Sequence, residues 1–123
     1  MDGETPLVAV VDDEGSVRRA VVRLLRSANY QAEAFASSSV FLDSLAKRIP
    51  DCLILDLQMP GMTGLELQVR LLQLGCRVPV IVITAYDEAE TRARCLAMGA
   101  IRYFRKPVEG DELLDAIRSL VGR

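Results

Sequence analysis

Histidine and tryptophan are absent from this 123-residue sequence, and aromatic residues make up only 5% of it. Without histidine the chain has no imidazole for acid–base catalysis, no imidazole metal ligand and no phosphohistidine of its own. So few aromatics leave no stacking platform for single-stranded nucleic acid. Basic charge is not in excess either: 15 Lys and Arg stand against 17 Asp and Glu, so the net charge of −2 offers no footprint for direct DNA contact. The three cysteines, Cys52, Cys76 and Cys95, are odd in number and far apart. They match neither a disulfide framework nor a zinc site, and a cytoplasmic setting is expected. No apolar run approaches the roughly 18 residues of a membrane span, and no secretory signal is evident, so no membrane partner is expected.

What is present is apolar and ordered in its patterning. Half the residues are hydrophobic and 26% are charged, which suits one soluble domain over residues 1–123. Repeats, low-complexity tracts and linkers are lacking. LVAVVD (7–12), CLILDL (52–57) and VPVIVIT (78–84) are continuous β-rich runs, as strands covered on both faces require. QAEAFA (31–36) alternates like an edge strand, and AIRYF (100–104) is a short fifth strand. Between them lie helical stretches. Val17, Ala20, Val21, Leu24, Leu25 and Ala28 form one apolar stripe ending near Asn29. Helices are also expected over 37–49, 64–75, 87–99 and 111–122. Five βα units in alternation imply an α/β fold with a parallel five-stranded sheet between two helical layers. Ligands of such sheets bind beyond the carboxyl ends of the strands.

Those ends carry a chemically pointed set. The first strand runs into Asp12-Asp13-Glu14, the third ends at Asp56, the fourth at Thr84, and Lys106-Pro107 follows the fifth. Carboxylates crowded together are costly unless a cation offsets them. With only oxygen donors on offer, the cation that suits them is Mg²⁺. A metal, an ammonium, a hydroxyl and an attacking carboxylate together make a phosphoryl-transfer site.

Each residue alone has a plainer explanation. Asp12, Asp13 and Glu14 fit a solvated turn at a helix N-terminus, and Asp56 fits a turn opener. Thr84-Ala85-Tyr86-Asp87 fits a capping box, the better account of Thr84 by itself. Lys106 alone reads as a surface lysine, Tyr103 as partly buried packing, and Gly61 and Gly64 as backbone geometry. The constellation, not any member, carries the argument.

In order and spacing, VVDDE (10–14), ILDLQMPGMTGLEL (54–67), PVIVITAY (79–86) and the Lys106-Pro107 pair resemble the receiver domain of two-component response regulators. The match spans essentially the whole chain. The serine-rich approach to the second helix and the QMPGMTGLEL segment most resemble the subgroup with a LuxR-type output domain. The resemblance implies the flavodoxin-like (βα)5 three-layer sandwich, strand order 2-1-3-4-5. It implies Asp56 as phosphoacceptor, Asp13 as a direct Mg²⁺ ligand, Asp12 as the acid supporting the metal, and the Gln58 backbone carbonyl as a further ligand. It also implies Thr84 as switch hydroxyl, Lys106 as the partner of the phosphoryl group, Tyr103 as switch aromatic, and a cis Lys106-Pro107 peptide.

The implied partner is a sensor histidine kinase or a phosphotransfer protein, and the domain catalyses only its own phosphorylation and dephosphorylation. Phosphorylation would switch the face of the fourth helix, fifth strand and fifth helix, which carries Arg92, Arg94, Arg102, Arg105, Asp111, Glu112, Asp115 and Arg118. A phosphorylation-dependent homodimer or output contact is implied there, although the charges alone fit an ordinary solvated face. The sequence stops at LVGR, so an output domain, presumed from the resemblance to act in transcription, is not expected within it. Gln58 and Tyr86 are sizeable residues at positions that govern water access to the acyl phosphate, and slow autodephosphorylation is expected.

Two other classes fit less well. An aspartyl-phosphate phosphatase wants a second Asp two residues beyond its nucleophile, where this chain has Gln58. A flavodoxin-like cofactor binder wants a phosphate cradle after the first strand, where DDEGS is acidic and repels phosphate.

Overall fold

Five apolar runs extend as strands: β1 (Leu7–Val11), β2 (Gln31–Phe35), β3 (Cys52–Asp56), β4 (Val80–Thr84) and β5 (Ala100–Arg105). The computed structural model describes residues 5–122. All neighbouring strands are parallel, in the order β2-β1-β3-β4-β5, as expected. The three central strands are buried along their whole length, whereas β2 and β5 are partly exposed edges. That division explains why three runs are apolar throughout and two are mixed.

Successive residues of each central strand supply opposite layers. Val8, Val10, Ile54, Ile81 and Ile83 pack with Leu25 of α1 (Gly15–Ser27) and Leu113, Ala116 and Ile117 of α5 (Gly110–Val121). Ala9, Val11, Leu53, Leu55, Val80 and Val82 pack with residues of the three remaining helices. These are Phe41 of α2 (Ser38–Ser44), Leu67 and Leu71 of α3 (Gly64–Gln73) and Cys95 of α4 (Ala89–Ala97). Leu25 and Phe41 are fully enclosed. Burial of each such side chain stabilises the fold by about 1.5–3 kcal/mol.

Local signals set the helix boundaries. Asn29 takes a left-handed φ of 69° and turns the chain from α1 into β2. Ser37 caps α2, its Oγ accepting from the Val40 N–H at 3.3 Å. α2 ends at Ser44 and does not continue to residue 49. Pro50 disfavours helical geometry at Ile49, which lies exposed. α4 starts two residues later than its sequence suggests, with Glu88 at its N-cap. The capping box lies elsewhere, at α3: Thr63 Oγ1 accepts from the Glu66 N–H and Glu66 returns to the Thr63 N–H. Thr84 is the last residue of β4 and caps no helix; its Oγ1 accepts from the Tyr86 N–H at 3.1 Å. Among the described residues no helix is long and apolar enough to cross a membrane.

Candidate functional site at the strand ends

Because the strands are parallel and pair up to their carboxyl ends, β1, β3, β4 and β5 deliver their last residues to one edge. Asp12 follows β1 directly, Asp56 closes β3, Thr84 closes β4, and Lys106 follows β5. Asp12 and Thr84 are 0% exposed and Asp56 2%, while Asp13 is exposed. One carboxylate oxygen from each of Asp12, Asp13 and Asp56 lies within 4.8 Å of the others.

One ammonium answers this charge. Lys106 Nζ stands 2.9 Å from Asp12 Oδ2, 3.1 Å from Glu14 Oε1 and 3.5 Å from Asp56 Oδ1. Asp12 Oδ2 meets Lys106 as an ion pair but has no well-directed hydrogen-bond partner, so electrostatic attraction rather than alignment holds that contact. The other oxygen, Oδ1, accepts from the Glu14 N–H at 2.9 Å. Arg18 donates to the Asp12 backbone carbonyl at 2.8 Å. The Gln58 N–H reaches Asp56 Oδ1 at 3.4 Å.

These surroundings perturb the acids and the base. Burial pushes the Asp56 carboxyl up to about 6, the neighbouring Asp12 charge adds to the rise, and Lys106 opposes it. Burial also works against the Lys106 ammonium. Close contacts with the Asp12 and Glu14 carboxylates and the charges of Asp56 and Asp12 outweigh it, and the amine is held above its ordinary value. Three hard-oxygen carboxylates, two of them buried, exceed what one lysine neutralises. That excess and the convergence of their oxygens fit a small divalent cation.

The backbone around Asp56 is tightly held. The Gly64 N–H donates to the Leu57 carbonyl at 3.1 Å, closing the PGMTG turn. A Cβ at position 64 would sit 2.5 Å from the Asp56 carbonyl oxygen and 2.8 Å from Leu57 Cα. Only glycine permits that approach. Opposite, the Lys106 N–H donates to the Thr84 carbonyl at 2.7 Å, and the Lys106-Pro107 peptide is cis.

Thr84 and Tyr103 share one acceptor. The Thr84 hydroxyl faces the Tyr86 carbonyl at 3.3 Å, and the Tyr103 hydroxyl makes a long contact with the same oxygen at 3.5 Å. Arg92 of α4 stacks over the Tyr103 ring, 5.5 Å from its centre. Asp12, Asp13, Asp56 and Lys106 thus meet at this edge, Thr84 ends the adjoining strand, and Tyr103 is tied to Thr84 through the Tyr86 carbonyl. Three contacts were not legible in the sequence. Glu14 engages Lys106, Arg18 braces the Asp12 carbonyl, and the Tyr86 carbonyl links Thr84 to Tyr103. Glu14 groups with Asp12 and Asp13 there without a partner of its own, Arg18 carries no motif, and a backbone carbonyl leaves no trace in residue identity.

Comparison with known proteins agrees with this geometry. The family model described as the response regulator receiver domain matches residues 8–118. The response regulator protein TodT of Pseudomonas putida is 36% identical over 119 residues, covering 97% of this chain and 52% of that protein. The DNA-binding transcriptional regulator NtrC of Escherichia coli is 33% identical over 115 residues, covering 94% of this chain and 24% of that protein. The chain therefore spans about half the length of TodT and a quarter of NtrC. A response regulator receiver protein from Burkholderia phymatum, solved by crystallography, superposes with a TM-score of 0.84 at 46% identity, covering 96% of both chains.

Proposed function

The chain belongs to the response regulator receiver domain family of two-component signalling, and from that premise we propose that Asp56 accepts a phosphoryl group from the phosphohistidine of a sensor kinase or phosphotransfer protein. The observation that carries this reading is the placement of Asp56. It is a buried carboxylate at the end of β3, 3.5 Å from Lys106 and clustered with Asp12 and Asp13.

In this reading Asp13, Asp56 and the Gln58 carbonyl would hold Mg²⁺, with Asp12 supporting it. When bound, the metal neutralises carboxylate charge and polarises the phosphoryl oxygens. Asp56 attacks in line: a P–O bond forms at its carboxylate as the P–N bond to the donor's imidazole breaks, and that imidazole keeps the electron pair. Lys106 stabilises charge on the transferring oxygens. The product adds negative charge and acceptor oxygens at the end of β3. Thr84 then turns its hydroxyl from the Tyr86 carbonyl to the phosphoryl group, and Tyr103 gains sole claim on that carbonyl. The shift biases the α4-β5-α5 face towards a homodimer or an output contact.

The domain is a signalling module whose chemistry is confined to its own phosphorylation and dephosphorylation. Its relatives control transcription, and a transcriptional output in the cytoplasm is proposed for the whole protein. The narrower LuxR-type subgroup gains no support from relatives of both TodT and NtrC types. Slow hydrolysis is proposed from Gln58 and Tyr86, and a phosphoprotein half-life of seconds with Mg²⁺ would overturn it. The central test is intact-mass measurement after incubation with acetyl phosphate. One phosphoryl adduct is expected, dependent on Mg²⁺, abolished by EDTA and missing in Asp56→Asn. An adduct that persists in Asp56→Asn refutes the assignment.

A further inference from the structure

Glu14 has no role in the mechanism above, yet it lies closer to the lysine than Asp56 does. Its carboxylate is 3.1 Å from Lys106 Nζ, against 3.5 Å for Asp56 Oδ1, and joins residues 92 positions apart in the chain. An ammonium has three donors. Here Asp12, Glu14 and Asp56 face it together, and only Glu14 takes a well-directed hydrogen bond from it, so an incoming anion must compete with that bond and with two further carboxylate charges.

Two further features direct Glu14 to this task. It occupies the N-cap of α1, but its side chain makes no hydrogen bond to that helix. Its backbone N–H is pinned to Asp12 Oδ1 at 2.9 Å, which fixes the residue beside the pocket. Asp12 and Asp56 are buried, whereas the Glu14 side chain is 57% exposed. Water can therefore replace Glu14 at the lysine at low cost, and cannot so readily replace the other two.

We propose that Glu14 is a restraint on Lys106: its carboxylate draws the ammonium to the α1 side of the site and slows phosphoryl transfer to Asp56 until that ion pair opens. The inference rests on Asp56 being the phosphoacceptor. Glu14 acts through Lys106 and is a positioning residue.

A double-mutant cycle separates this role from simple charge repulsion of the donor. Initial rates of phosphorylation by acetyl phosphate with Mg²⁺ are measured for wild type, Glu14→Gln, Lys106→Ala and the double variant. Glu14→Gln is expected to react about two- to fivefold faster, the scale of a half-exposed ion pair, and the gain should vanish in the Lys106→Ala background. A rate equal to or below wild type overturns the restraint, as does a gain that survives intact without Lys106. A second measurement covers the case in which Lys106→Ala reacts too slowly to follow. The chain has only two lysines, Lys47 and Lys106. In lysine-labelled, metal-free protein, Glu14→Gln should move the Lys106 side-chain NMR signals and leave those of Lys47 in place; unmoved Lys106 signals overturn the proposal. If wild type takes up no phosphoryl group, the phosphoacceptor reading falls and the restraint with it. If wild type is phosphorylated and the cycle shows no coupling, only the restraint falls.

Discussion

Replacing Asp56 with Asn removes one of two carboxylates buried side by side, while keeping an oxygen able to accept from the Gln58 N–H. The folded protein holds the Asp56 carboxyl at about 6, against an ordinary 3.8, chiefly through burial and then the Asp12 charge. A gap of about two pKa units, at about 1.4 kcal/mol each, sets a ceiling near 3 kcal/mol on the cost of ionising Asp56 in the fold. Water at the open edge of the site and adjustment of Lys106 reduce the expected effect to about 1–2 kcal/mol. The sign follows from proton binding. Because the folded pKa lies above the unfolded one, the native state binds more protons between about pH 4 and 6. The stability contributed by this group therefore declines as pH rises through that window. Urea unfolding with EDTA present should show Asp56→Asn more stable than wild type by about 1–2 kcal/mol at pH 7.5. That advantage should shrink at pH 4.5, where a larger share of native wild-type molecules carries a protonated Asp56. Equal or lower stability of Asp56→Asn at pH 7.5 refutes the reasoning, and so does an advantage that does not change with pH.

Two further substitutions probe the supports of the site. Gly64→Ala places a Cβ against the backbone of Asp56 and Leu57, which has no flexible end to move aside. It should cost about 1–3 kcal/mol in urea unfolding and lower phosphoryl uptake, and wild-type behaviour in both assays would contradict the close approach. Gln68→Ala removes a buried amide whose Nε2 donates to the Cys95 carbonyl at 3.2 Å. Cys95 is the one buried side chain of α4, so this helix is lightly anchored. Amide exchange in the last turn of α4 should accelerate about tenfold while the central strands stay protected; unchanged exchange would show that α4 is held by other contacts.

Much of the fold was legible because apolar patterning reports burial directly. The three strands covered on both faces are continuous runs, and the Val17–Ala28 stripe marks the buried side of α1. The order of βα units then implied where the site would lie. Local cues were less faithful. Thr84 has the spacing of a capping box, but the β-ladder claims its backbone and its hydroxyl turns to Tyr86. Thr63 and Glu66 form the real box, hidden within a segment read for its turn residues. The 37–49 stretch has helical patterning throughout, yet the helix stops at Ser44, and Pro50 only bars helical geometry at Ile49.

The sequence alone determined which groups are available: oxygen donors without histidine, one lysine after the fifth strand, a hydroxyl after the fourth. It also determined that parallel strands would carry them to one edge, because alternation of strand and helix leaves few other topologies. Tertiary structure decided how those groups divide the work. Burial of Asp12 and Asp56, with Asp13 left in water, depends on layers assembled from distant segments. The sharing of Lys106 among Asp12, Glu14 and Asp56 depends on distances across a loop junction. Electrostatic interaction changes steeply with separation and solvent access, and neither quantity is written in residue order.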